Sequence, residues 1–183
     1  MSAVGEQEPV SVRRADVPAV LDFALHKPVM IERCLDASLI NSIITHPAIF
    51  PHVTDDFGGS PEDFDCSEAL KTEGVLFLTP RQGQVLGVFM VHKHTTVLWE
   101  VHTCLLPETE NKLDCAKALI RWMFQNTTCR KLISWAPADN KRAYHFALKA
   151  GLVDEGICKK SFLKNGVLLD QHLMGIGKGE TCQ

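Results

Sequence analysis

Glu100 and His102 lie two residues apart in the apolar run Val97 to Leu106, a spacing that places both on one face of an extended chain. A carboxylate beside an imidazole can take a proton from a bound amine, directly or through water. The same couple can equally be a buried hydrogen-bonded pair or part of an exposed rim. His92 and His94 share a face of the preceding run, and His102 and Cys104 share one on theirs, so the four raise the question of a metal. If Thr95 and Thr96 form a two-residue turn, position 94 pairs with 97 and the two sets project to opposite faces of the sheet. No metal site is therefore expected. Tyr144 sits in a helical segment, where its hydroxyl either reaches the surface over a packed ring or serves as an acid. No Ser, His and Asp can be joined by spacing into an acyl-transfer triad, and Trp99, Trp122 and Trp135 read as core or rim aromatics.

The elements that must position these groups follow from periodicity. A polar leader precedes RRADVPAVLDFAL, where Asp16 can cap a short helix. Val29 to Leu35 reads as a strand, and Asp36 then caps a helix carrying Leu39, Ile40, Ile43 and Ile44 as far as Pro47. The following Pro-, Gly- and Asp-rich segment reads as an irregular loop with one helical turn at most. Gly74 to Thr79, Val85 to His94 and Val97 to Leu106 form an antiparallel meander, turning at PRQGQ and at Thr95-Thr96. After Pro107 a helix carrying Leu113, Ala116, Leu119, Ile120, Met123 and Phe124 and ending near Thr127, a strand at Lys131 to Ala136 and a helix at about Asn140 to Ala150 come next, with Gly151 closing the last. The chain finishes in a hairpin turned by Asn165-Gly166, and GKGETCQ reads as a flexible tail.

This order predicts one α/β domain: a mixed, mainly antiparallel twisted sheet with helices on both faces and a C-terminal β-hairpin. Its boundaries are a leader at 1–28, the domain at 29–176 and the tail at 177–183. The 183 residues, 45% of them hydrophobic, suffice for one core. A formal charge of −3 supplies no general attraction to nucleic acid or to an anionic membrane. No apolar run approaches the ~20 residues that span a bilayer, and no secretory leader is legible, so the expected location is the cytoplasm. Seven cysteines without CxxC spacing suit reduced thiols.

The element order, with LLPETENKLDCAKALIRWMF and WAPADNKRAYHFALKAGLVDEG, resembles the GNAT superfamily of N-acetyltransferases, and most closely the short GNAT-like proteins of tailed phages. The likeness covers residues 29 to 176 and leans on the spacing of Asn140, Ala143 and Gly151. It implies a loop whose amides, opening a helix, hold the pyrophosphate of acetyl-CoA. The corresponding stretch runs from Glu110 through Asn111, Lys112, Leu113 and Asp114 to Cys115. Here Glu110 replaces a basic residue, and Leu113 and Cys115 stand where glycine or another small residue belongs. The two acids are expected to satisfy the helix dipole and compete with a phosphate, with Leu113 obstructing close approach, so the acetyl-CoA site formed by Asn111, Lys112, Leu113, Cys115 and Asn140 reads as degenerate.

The resemblance also implies a general base on the strand of Glu100 and His102, and a tyrosine that protonates the departing thiolate. That tyrosine's position falls on Ala147, with Tyr144 one turn away. The leading expectation is a non-catalytic component of phage heads or head-to-tail junctions, needing no cofactor, found in the host cytoplasm or the virion. Its alternative is an active acetyl-CoA-dependent N-acetyltransferase using Glu100, His102 and Tyr144.

Overall fold

The computed structural model describes residues 27–180, so the expected leader helix after Asp16 and the last residues of the tail lie outside them. Strand β1, Met30–Arg33, leads into helix α1, Ala37–Ile44. Asp36 starts that helix as its residue type predicts, its carboxylate accepting from the Leu39 amide at 3.1 Å. Ile40, Ile43 and Ile44 form its buried stripe. The loop that follows holds the one-turn helix α2, Phe50–Val53. A second short helix, α3, Ser67–Lys71, falls where too few residues recur for a period to be read.

The meander consists of β2, Val75–Gln82, the two-residue β3, Gln84–Val85, β4, Gly87–Lys93, and β5, Leu98–Leu105. The first expected turn is shorter than PRQGQ suggested, because Pro80, Arg81 and Gln82 continue β2. Pro80 is tolerated there because β4 pairs with β2 only between Val75 and Leu78. The remaining elements are α4, Lys112–Asn126, β6, Lys131–Pro137, α5, Lys141–Ala150, β7, Val153–Lys164, and β8, Val167–Gly177. Gly151 ends α5 at φ 105, and Asn165 and Gly166, both at positive φ, turn β7 into β8. Gly177 belongs to β8 opposite Lys131, so the strand extends past the expected start of the tail.

The sheet runs β1-β2-β4-β5-β6-β8-β7, with β3 attached to β2. Its neighbours pair antiparallel except β5 and β6. Alternation along the strands divides the core. Leu78, Phe89 and Val101 pack with α4 and α5, while Phe77, Val88 and Cys104 pack with α1 and α2. No helix among the described residues is long and apolar enough to cross a membrane.

Candidate functional site

β5 and β6 are joined only at Leu98 to Lys131, Trp99 to Leu132 and Glu100 to Ile133. Beyond Glu100 the strands run on to Leu105 and Pro137 without pairing to each other. The gap at their carboxyl ends opens a cavity of about 630 Å³ that reaches both faces of the sheet, the position where parallel strands commonly receive ligands. On one face it is walled by Leu119, Ala143, Ala147 and other small or apolar residues of α4 and α5. On the other it meets His52 of α2 and Asp55 after it, Glu100 and His102 on β5, and Ser161 and Gln171 of the hairpin.

Glu100 sits at the fork, its side chain 8% exposed. His102 Nε2 lies 3.1 Å from its Oε1, while His94 Nε2 at 2.7 Å and His92 Nε2 at 3.4 Å approach Oε2. Burial pushes this carboxyl up, but the hydrogen bond and charge of His102, joined by those of His94 and His92, more than offset it and hold the group down at about 2. An ionised carboxylate offers only acceptors, so the imidazoles bonded to it donate from Nε2 and keep Nδ1 free of that proton. Burial pushes His92 down against the pull of Glu100.

Glu100 and His102 thus share a face and line the cavity as their spacing predicts. The histidines before them overturn the expected geometry. The turn comprises four residues, 94–97, with His94 and Thr95 amides both donating to the Leu98 carbonyl. Position 92 therefore pairs with 100 and position 90 with 102. One residue of register changes the face of every side chain on a strand, so His92 and His94 stand on the same face as Glu100 and His102. Cys104, on that face as well, is buried among apolar groups, and burial pushes its thiol up to about 12.

The α4 loop departs from expectation in three ways. Neither acid caps the helix, whose first turn receives no hydrogen bond from the Asn111 side chain at the cap; that side chain instead donates to Gln82 Oε1 at 3.0 Å. Leu113 is partly buried against the core, not standing over the loop. Lys112 is not presented to an anion, since its ammonium donates to the carbonyls of Pro107, at 2.8 Å, and Thr109. Cys115 is fully buried, and burial, with the nearby charge of Asp114, pushes it up to about 11. Asn140 caps α5 by accepting from the Ala143 amide at 3.0 Å and also borders the cavity.

Tyr144 is not brought to the site. Its hydroxyl donates to Asp154 at 3.1 Å, and its ring lies 4.6 Å from that of His172, whereas Ala147 lines the cavity. One clamp had no signal in the sequence: Asp56 accepts from the amides of Asn165 and Gly166 at 2.8 and 2.7 Å, joining the loop after α2 to the hairpin tip.

Neither the family models nor the curated proteins compared with this chain give a match. Solved structures do. Spermidine N-acetyltransferase from Vibrio cholerae, in complex with CoA and spermine, superposes with a TM-score of 0.67 at 17% identity, over 83% of this chain and 96% of that one. A chimera of the Vibrio cholerae enzyme with hSSAT gives 0.68 at 14% identity, over 82% and 96%. These comparisons lend no support to a phage assembly role. Identities so low speak for architecture alone, and that architecture is plain: the chain has the GNAT fold.

Proposed function

We propose that the protein is an acyl-CoA-dependent N-acyltransferase acting on an amine. The observation that carries this reading is the parting of β5 and β6 after Glu100, which opens a cavity through the sheet walled by α4 and α5. It takes up the alternative that the sequence left open, in preference to an assembly component. The CoA complex of the Vibrio cholerae enzyme, built on the same fold, supports it.

The residues present fit the cofactor. The α4 first turn has no side-chain cap, and Leu113 turns to the core, so the amides of Lys112, Leu113 and Asp114 would hold the pyrophosphate. Acetyl-CoA, when bound, supplies the acyl thioester. Asp55 and Glu100 border the opposite half of the cavity, while its lining residues include no Lys or Arg, which favours a cationic amine. Glu100 accepts the Nε2 proton of His102, and His102 Nδ1 is left as the lone pair that takes the proton of the amine. Ala147 has no side-chain proton to give the departing thiolate.

The test is calorimetry with acetyl-CoA, followed by thiol release in the presence of polyamines and lysine peptides. Binding, with amine-dependent release lost in His102→Ala, is expected. A protein that binds no acetyl-CoA at millimolar concentration overturns the proposal.

A further inference from the structure

His92 and His94 have no part in that reaction. They are not among the residues lining the cavity; they stand on the far side of the Glu100 carboxylate, at the end of β4 and in the turn that follows. Register sets His92 directly across from Glu100, and His94 folds back over the same oxygen. Both imidazoles present Nε2 to Glu100 Oε2, at 3.4 and 2.7 Å, and the donor atoms of the three residues all lie within 4.8 Å of one another. Donors bound to one ion at about 2.0–2.2 Å stand roughly 3–3.5 Å apart, so side-chain adjustments of about 1 Å would gather these three around a single centre.

We propose that His92, His94 and Glu100 form a binding site for a divalent late first-row transition ion, of which zinc is the natural occupant. Two imidazole nitrogens and one carboxylate oxygen are borderline donors that suit zinc and its neighbours. Calcium and magnesium demand a shell made largely of oxygen, which this site does not offer. Water completes the coordination. On binding, each Nε2 proton moves to Nδ1 of the same ring, so the imidazoles stay neutral and the carboxylate charge faces the ion. His102 keeps its bond to the other carboxylate oxygen, Oε1, and holds Glu100 in position from behind. Entry is open, because the His92 and His94 side chains are 31% and 40% exposed. The bound ion would tie β4 to β5 and share Glu100 with the cavity.

None of this depends on acyl transfer, and its test uses no acyl-CoA. The full chain, freed of metal with a chelator, is titrated with zinc sulfate by calorimetry, and cobalt(II) is followed by its visible absorption, which reports a four-coordinate site. We expect one equivalent of zinc bound with micromolar affinity or better, tetrahedral cobalt bands, and no heat from magnesium or calcium. His92→Ala and His94→Ala should each weaken zinc at least ~10-fold while the metal-free proteins, though less stable for the loss of a partner to Glu100, stay folded. Exposed residues elsewhere serve as controls: His145→Ala and Cys158→Ser should bind as the wild type does. Zinc silence at millimolar concentration overturns the site, and so does binding that survives the His92→Ala/His94→Ala double variant or disappears in Cys158→Ser.

Discussion

Gly87 occupies a place no side chain can share. A Cβ there would lie 2.4 Å from the Cys104 carbonyl oxygen and 2.7 Å from the Leu105 Cα, both backbone atoms of β5. Gly83 is different, since nothing lies within 4 Å of a Cβ built there and its φ of 82 makes a larger residue pay only the left-handed strain of roughly 1–2 kcal/mol. Gly87→Ala should therefore lower the melting temperature more than Gly83→Ala, because the hairpin must shift to admit the methyl. Equal losses in the two variants would refute the close approach of β4 and β5. The cysteines give a second prediction at this scale. Burial holds Cys104 at about 12, and Cys115 and Cys129 at about 11, so near neutral pH they lack the thiolate that alkylation needs. Cys158 is exposed. Brief iodoacetamide treatment of the native protein, mapped by mass spectrometry, should label Cys158 among the described residues and spare those three.

The loop after α2 and the tip of the hairpin, far apart in the chain, meet through hydrogen bonds. Asp56 takes the Asn165 and Gly166 amides, its own amide donates to the Leu163 carbonyl at 3.1 Å, and Lys164 donates to the Thr54 carbonyl at 2.6 Å. The bonds from Gly166 and then Asn165 lower the Asp56 carboxyl from its ordinary 3.8. A lowered carboxyl contributes fully above its ordinary value and loses that contribution as pH falls through the lowered one. Amide relaxation at Asn165 and Gly166 should thus report a rigid tip at pH 6, one that loosens as pH falls further below 3.8, and a loose one throughout in Asp56→Ala with the fold intact. An equally rigid tip in that variant would mean that Asp56 is not the fastener. Local rules made the strands and helices legible: Asp36 capping α1, Gly151 closing α5 and Asn165-Gly166 turning the hairpin all follow from residue type. The clamp was not legible, since it joins residues 109 or 110 apart. Nor was the histidine cluster, because its assembly depends on whether the turn after β4 holds two residues or four, and Thr95-Thr96 carries no glycine or asparagine to declare a tight turn.

At the scale of the whole molecule, sheet topology creates a cavity that several local features seemed to deny. Acids at 110 and 114 and a leucine at 113 read along the chain as a spoiled anion site, with Lys112 its one remaining positive charge. Folded, the leucine turns inward, the lysine bonds its own loop and the amides stay uncapped by side chains. If the cavity takes acetyl-CoA, binding must stabilise the fold by RT ln(1 + [L]/Kd), about 2.7 kcal/mol at a hundredfold excess over Kd. For a chain of this length that is a rise in melting temperature of roughly 5–10 °C. Glu110 is exposed one residue before the Asn111 cap of α4, so Glu110→Arg replaces a repelling charge with an attracting one. At a solvated position that exchange should contribute about 1 kcal/mol or less, a several-fold gain in affinity, and salt should erase it as the Debye length shrinks to about 3 Å near 1 M. A neutral Glu110→Gln should fall between the wild type and the arginine variant. Should acetyl-CoA shift none of the three, the parted strands would not serve an acyl carrier; a shift indifferent to residue 110 and to salt would place the pyrophosphate away from the α4 N-terminus.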